Sequence, residues 1–328
     1  MKEKVKEIIK KYNLINTGDK IVLGVSGGPD SIAMLDILRQ LKSEMEFEIY
    51  VVHINHSIRG EDADEDEEYV KNYCRKYEIE CFTKKIDVPT IARTEKIGTE
   101  EAGRKVRYEY FEEILKETGS NKIAIAHNKN DNVETIIMHL LRGSGISGLR
   151  GIEPIREEKF IKPLIECDRQ EIENYCKENN LQPRIDKTNF ENEYTRNKIR
   201  NIVIPYIKKE FNPNIIETIT RLADVVSSED DFIENVSNEN YKKLLVIEEK
   251  NRIELKLKEF NLLDEVLKNR IILIATRKLF GSTQGIEKVN IEDIIKLCNN
   301  NIGNKFLMPN KNLKVLIQNK KINFIKID

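Results

Sequence analysis

Two hydrophobic periods alternate along the first 140 residues. Short apolar runs, KIVLGV (20–25) and FEIYVVHI (47–54), predict strands, ECFTKKI (80–86) is a third strand candidate and KIAIAH (122–127) a fourth strand. Between them apolar residues recur at helical spacing: Ile32, Leu35, Ile37 and Leu38 within 31–41, and then the segments 61–77, 100–116 and 131–142. Val5, Ile8, Ile9 and Tyr12 mark one face of a helix at the start of the chain. Strand and helix in strict alternation predict an α/β fold, a Rossmann-like parallel sheet with helices on both faces. Such sheets bind ligands outside the carboxyl ends of their strands. The alternation ends after the glycine-rich stretch 142–151. Beyond it the pattern predicts a helix over 168–179, a helical segment from 212 to about 244 and a strand at 252–258. Helices near 259–280 and 290–300 and three short strand-like runs follow. The chain therefore reads as a first domain over 1–211 and a smaller helical/α+β domain over 212–328, with Pro205 and Pro213 where a linker is expected.

Composition narrows the classes. The 328 residues carry 55 Lys+Arg against 56 Asp+Glu, a net charge of −1, so nucleic-acid binding must use local patches and not a global field. No apolar run approaches the roughly 18 residues that cross a membrane. The charged start MKEKVKEIIKKY is no signal peptide. Cys74, Cys81, Cys167, Cys176 and Cys298 are odd in number and contain no C-x-x-C, which argues against a disulfide scaffold or a cysteine zinc site. A cytoplasmic protein is expected.

The strongest chemical signal is VSGGPDS, Val25 to Ser31, between the first strand and the next helix. Gly27 and Gly28 let backbone approach a ligand, and the helix N-terminus aims free N–H groups at the same spot. With the Ser26 and Ser31 hydroxyls this is an anion cradle, most naturally for phosphate. No lysine follows, so the loop is not that of γ-phosphate-transferring enzymes. Asp30 inside a phosphate site makes sense if it holds Mg²⁺ bridging phosphates. His53, His56 and His127 fall at strand carboxyl ends. The acidic run EDADEDEE (61–68) reads as charge complementing a helix N-terminus. Thr99 is expected to cap the helix that carries Arg104, Arg107 and Tyr108 on one side, where arginines can clamp phosphate or carboxylate. Asp131 and Glu134, three apart, share a face at a helix start, either as ordinary caps or as a pocket for an ammonium group or Mg²⁺. Arg196, Lys198, Arg200, Lys208 and Lys209 form a local basic run, either a solvated face or a contact to RNA backbone.

The S-G-G-x-D-S string resembles the signature loop of the pyrophosphatase-loop (PP-loop) enzymes, which cleave ATP between the α and β phosphates. The following motifs resemble one branch, the tRNA(Ile)-lysidine synthetases: HINHSIR from His53, EAGRKVRY from Glu101, AHNKNDNVET from Ala126, LLRGSGISGLRG from Leu140, Lys162-Pro163-Leu164, Asp186-Lys187-Thr188-Asn189 and Arg196-Asn197-Lys198-Ile199-Arg200. They occur in order over about residues 15–210. Gly103 stands where alanine is usual and Asn132 where a second acid is common. The second half matches only loosely, as a short form or a truncated chain.

The resemblance implies that ATP and Mg²⁺ are used to adenylate the carbon-2 oxygen of the wobble cytidine in an isoleucine tRNA with a CAU anticodon. Free L-lysine then displaces AMP to give lysidine. On this basis Ser26, Gly27, Gly28, Pro29, Asp30 and Ser31 hold the pyrophosphate end of ATP, with Asp30 on Mg²⁺, and His53 and His127 border the adenosine. Arg107 stabilises charge at the adenylated centre, Asp131 and Glu134 hold the lysine amine, Asp131 takes its proton, and Arg196, Lys198 and Arg200 meet tRNA. No membrane is involved, and the oligomeric state, a homodimer included, is left open. Two other enzymes share the loop: tRNA thiolation enzymes, disfavoured by the lack of C-x-x-C, and small-molecule AMP-forming synthetases, disfavoured by the arginine-rich stretch. A nucleotide-sensing module is disfavoured by Asp30 and the Asp131/Glu134 pair.

Overall fold

The computed structural model describes residues 1–57, 60–184, 194–283, 285–300 and 305–327. Asp186 to Asn189, and Ile58 and Arg59 of the histidine motif, lie outside the described residues. The chain divides into two compact units, Met1–Asp224 and Val225–Asp328.

All four expected strands form in the first unit: β1 (Lys20–Gly24), β2 (Glu48–Asn55), β3 (Cys81–Lys85) and β4 (Lys122–Ile125). They are parallel, with β1 paired to both β2 and β4. Two short strands, β5 (Ile155–Arg156) and β6 (Phe160–Ile161), complete the order β3-β2-β1-β4-β6-β5; β6 is parallel to β4 and β5 antiparallel to β6. The chain winds outward from β1 to β3 and then returns to the other side of β1. The gap between the ends of β1 and β4 is therefore the switch point where such sheets take ligands.

Helices cover both faces, as the alternation requires. Ile21 and Leu23 of β1 face a core shared with α1 (Lys2–Lys11), α2 (Pro29–Met45), α3 (Glu61–Lys76) and α8 (Arg169–Glu178). Val22 faces the other way, with Val52, Ile123, Phe160 and, from α5 (Thr99–Glu117), Tyr110, Phe111 and Ile114. Full burial of each such side chain is worth about 1.5–3 kcal/mol. Gly24, at the end of β1, lets α5 come close: a Cβ there would lie 2.5 Å from Phe111 Cζ. Helix α4 (Val88–Glu95) was not evident from periodicity; Asp87 caps it by accepting from the Thr90 N–H at 3.0 Å.

Two local expectations are corrected. Thr99 is the first helical residue of α5 and not its cap; Gly98, in an extended conformation at φ −65°, holds the cap position without a side-chain bond. Pro205 lies in no linker. It sits at the start of α10 (Ile204–Glu210), which continues from α9 (Thr195–Lys198) through a π-helical turn, Ile199–Val203. Helices α6 (Lys129–Leu141) and α7 (Ile146–Leu149) complete the set up to α11 (Ile215–Leu244), within which the unit boundary falls.

The second unit is an antiparallel sheet, order β7-β8-β11-β10-β9, built from β7 (Leu245–Glu249), β8 (Arg252–Lys256), β9 (Phe306–Asn310), β10 (Leu313–Gln318) and β11 (Lys321–Lys326). With α12 (Leu257–Asn261), α13 (Glu265–Phe280) and α14 (Lys288–Asn300) it buries Tyr241, Phe260 and Phe324. No helix among the described residues is long and apolar enough to cross a membrane.

Candidate active site

A cavity of about 670 Å³ opens at the switch point, walled by the ends of β1, β2 and β4 and by α5. Its floor is the loop from Val25 to Ser31. Gly27 turns there with φ +92°, a conformation costly for other residues, and Gly28 precedes α2, whose first residue is Pro29. The two serines hold this shape from within. Ser31 Oγ accepts the Ser26 N–H at 3.1 Å and donates to the Gly28 carbonyl at 3.0 Å, while the two hydroxyls lie 3.2 Å apart. The serines thus preorganise the turn, and the N-terminus of α2 stays directed at the cavity.

Asp30, on the first turn of α2, faces the N-terminus of α6. Its Oδ1 accepts from Asn128 Nδ2 at 2.8 Å. Burial, and then the charge of Asp131, push its carboxyl up from the usual range against that hydrogen bond. This acid belongs to the phosphate-type loop and has an amide as its hydrogen-bond partner, which suits a hard cation. Among the described residues no three His, Cys, Asp or Glu side chains gather to hold a metal. Mg²⁺ fits here only as it usually binds, through one carboxylate with phosphates and water supplying the rest.

The three strand-end histidines line the cavity. His53 Nδ1 lies 2.9 Å from the Val25 carbonyl, so the ring donates there, and burial holds it below its ordinary pKa. His127 is pushed down to about 4, chiefly by burial and against the pull of Asp131. Its Nδ1 is buried without a hydrogen-bond partner, a donor or acceptor awaiting a ligand. Arg107 reaches the same cavity from α5. The residue is exposed, and the protein around its guanidinium lowers its pKa. Arg104 is turned aside, stacked over the Tyr108 ring at 5.0 Å, so the two arginines do not clamp one group.

The carboxylate pair is also built locally. Asn128 caps α6: its Oδ1 accepts the Asp131 N–H at 2.9 Å and Asp131 Oδ2 accepts the Asn128 N–H at 3.1 Å, a reciprocal capping box. Capping is therefore one role of Asp131, but its other oxygen is engaged elsewhere. Arg196 Nη2 and Arg200 Nη2 both reach Asp131 Oδ1 at 3.0 Å. Arg200 grips Glu134 with Nε at 2.6 Å and Nη2 at 2.7 Å, and Arg196 Nε meets it at 3.0 Å. Burial alone would raise Asp131, but the guanidinium charges of Arg196 and Arg200 outweigh it and hold the carboxyl below its ordinary range. Arg196 and Arg200, expected against tRNA, point inward to this cluster, whereas Lys198 is exposed. Asn132 is buried, and its Oδ1 takes the Ile152 N–H at 2.6 Å.

The PP-loop domain model matches residues 1–207. Over 95% of this chain and 68% of its own length, the tRNA(Ile)-lysidine synthase of Clostridioides difficile is 44% identical. The enzyme of the same name from Petrotoga mobilis is 41% identical over 90% of both chains. The chain belongs to the tRNA(Ile)-lysidine synthase family. It spans 64% of the length of the Clostridium tetani member, at 43% identity. A U34-tRNA thiolase from Methanococcus maripaludis shares the fold, with a TM-score of 0.57 and 18% identity over 69% of this chain and 79% of that one. As a tRNA(Ile)-lysidine synthase family member with a PP-loop domain, the chain binds ATP. The family's lysidine-type motifs converge on the cavity at the switch point: the loop, the histidines, Arg107 and Arg196 line it, and Asp131 and Glu134 stand behind Arg196.

Proposed function

We propose that this protein joins free L-lysine to carbon 2 of the wobble cytidine of an isoleucine tRNA with a CAU anticodon, in the cytoplasm, with ATP converted to AMP and pyrophosphate. The observation that carries the reading is the adjacency of two unlike subsites. An anion loop bearing Asp30 and a buried pair of carboxylates bearing guanidinium counter-ions are joined through one side chain, Asn128. The first suits a polyphosphate, the second an alkylammonium.

The loop residues Ser26 to Ser31 orient the triphosphate for attack by the carbon-2 oxygen on the α-phosphorus. Asp30 would hold Mg²⁺, which when bound supplies neutralisation of phosphate charge. His127 offers its unpartnered ring nitrogen to the nucleotide. Arg107, charged and directed into the cavity, stabilises the phosphate that remains on the base. Lysine enters by exchange with Arg196, the more exposed guanidinium of the cluster at 30% against 16% for Arg200. Arg200 keeps its two-pronged hold on Glu134. The incoming ε-ammonium, with a pKa near 10.4, must lose a proton before it attacks carbon 2. Asp131, relieved of Arg196, receives it. The exposed Lys198, Lys208 and Lys209 meet the tRNA backbone. The second unit adds further tRNA contact.

The test is incubation with ATP, radiolabelled lysine and transcripts of the isoleucine tRNA and of a methionine tRNA. Label in the isoleucine tRNA alone, with AMP as the nucleotide product, is the expected result. Release of ADP, or sulfur incorporation in place of lysine, overturns it.

A further inference from the structure

The acidic run at the start of α3 has a use that its position on a helix N-terminus does not explain. Asp66 is 5% exposed and packs against the phosphate loop: a Cβ placed on Gly27 would lie 3.6 Å from Asp66 Cβ. A carboxylate on a residue packed against the loop opposes a bound polyphosphate unless a cation answers it. The loop itself carries no lysine. Among the described residues Arg184, which follows α8 in the chain, places a cation there. Its main-chain N–H donates to the Gly27 carbonyl at 3.0 Å, and a Cβ on Gly28 would lie 3.9 Å from the Arg184 carbonyl. Its backbone is therefore fastened to the loop. Its Nε lies 3.4 Å from Asp66 Oδ1, and its Nη2 is bonded to Glu65.

The two partners differ. Asp66 is buried, with a side chain 7% exposed, whereas the Glu65 side chain is 61% exposed. An ion pair that exposed is worth little and is readily exchanged. A guanidinium matches phosphate oxygens in a planar, two-pronged fashion, which no ammonium does.

We infer that Arg184 is a phosphate-contacting residue of this site: on ATP binding its guanidinium leaves Glu65 for the β- and γ-phosphates, while Asp66 keeps hold of Nε. The inference rests on the adenylation reading above. In that step the bond between the carbon-2 oxygen and the α-phosphorus forms, the bond from the α-phosphorus to the bridging oxygen breaks, and pyrophosphate departs with the electron pair. Arg184 stands on the leaving-group side and stabilises the charge that develops there.

The test compares binding of α,β-methylene ATP and of AMP to the full chain by titration calorimetry. In Arg184→Gln the methylene analogue is expected to bind roughly 10- to 100-fold more weakly, the range of a lost charge-assisted hydrogen bond. AMP binding is expected to stay unchanged, and Arg184→Lys should recover part of the loss. Glu65→Gln, at an exposed position that does not threaten folding, should tighten the analogue, because Arg184 then leaves no ion pair. Unchanged analogue affinity in Arg184→Gln, equal weakening of analogue and AMP, or weaker analogue binding in Glu65→Gln overturns the assignment. A wild-type chain that binds neither ligand overturns the adenylation reading and this inference together, whereas a wild-type chain that binds both, with Arg184→Gln indistinguishable from it, overturns this inference alone.

Discussion

Glu134→Gln probes the arginine–carboxylate cluster most directly. The Glu134 side chain is 2% exposed and accepts three guanidinium N–H bonds, at 2.6, 2.7 and 3.0 Å. Glutamine has nearly the same shape, so packing is preserved. It loses the charge and turns an amide donor toward guanidinium donors. Removing one partner of a buried ion pair costs about 3–5 kcal/mol because the remaining charge stays buried and unanswered. Arg196 can turn its guanidinium toward solvent, being 30% exposed, and Arg200 at 16% is less free to do so. The lower end, about 3 kcal/mol, therefore applies. For a unit of this size each kcal/mol moves Tm by about 2–4 °C, so a drop of about 6–12 °C is expected in thermal unfolding followed by circular dichroism. The same scan carries a second readout. Free lysine at about a hundredfold over its Kd should stabilise the wild type by about 2.7 kcal/mol and the variant hardly at all. An unchanged Tm would show that the cluster is not the closed network described here. A variant that lysine still stabilises would place the ammonium elsewhere.

Three further outcomes follow from the geometry. Gly24→Ala drives a Cβ to 2.5 Å from Phe111 Cζ, one helical turn beyond Arg107; it should destabilise by about 1–3 kcal/mol and weaken ATP binding, measured by unfolding and by titration with nucleotide. Gly103→Ala should do the opposite, since its Cβ meets Val88 and His56 at ordinary distances of 3.8 Å or more; a gain of up to about 1 kcal/mol is expected, and a lower Tm would contradict it. The third concerns pH. His127 is held down to about 4, mainly by burial, so the folded state keeps it neutral. Its contribution is intact above the unfolded value near 6.5 and is lost as pH falls from there toward 4. Asp131, held below its ordinary range despite burial, keeps its contribution through that interval and loses it only at lower pH. His127→Gln should therefore flatten the fall of Tm between pH 6.5 and 4.5; an unchanged slope removes His127 from the account.

Much of the first unit was legible because buried parallel strands are continuous apolar runs and surface helices carry a stripe, and both patterns are strong between residues 20 and 142. The β5–β6 hairpin was not, because strands of two residues each, Ile155–Arg156 and Phe160–Ile161, carry no period. Helix α4 is only eight residues long, and its one clear mark is Asp87 before a proline. In the site, the loop, the histidines and the acids were visible as motifs. Their mutual arrangement was not, since Arg196 and Arg200 lie more than 60 positions from Asp131 and Glu134. A signal did exist. Two arginines four apart and two acids three apart each put like charges on one helical face, and buried like charges need an opposite pair. Reading the basic run as one RNA-facing surface missed that division. The acids 65 and 66 were read as helix charge alone, because nothing local reveals that Arg184 returns to them.

Asn128 connects the two halves of the site, and its chemistry separates positioning from capping. Its side-chain oxygen caps α6 by accepting from Asp131, and its amide nitrogen donates to Asp30. Aspartate at 128 would cap as well as asparagine does. It would also set a carboxylate where the amide now faces Asp30, whose carboxyl is already raised by burial and by Asp131. A third acid raises the proton affinity of the group further. Asn128→Ala, by contrast, loses the cap, at about 1 kcal/mol, and merely removes a donor. If the amide matters only as a cap, the alanine variant should be the worse enzyme and the less stable one. If it holds Asp30 ionised beside the phosphates, the aspartate variant should be the worse enzyme despite higher stability, and the acidic limb of its pH–rate profile should move to higher pH. Wild-type activity with an unshifted profile in Asn128→Asp would break the link between the two subsites on which the arrangement depends.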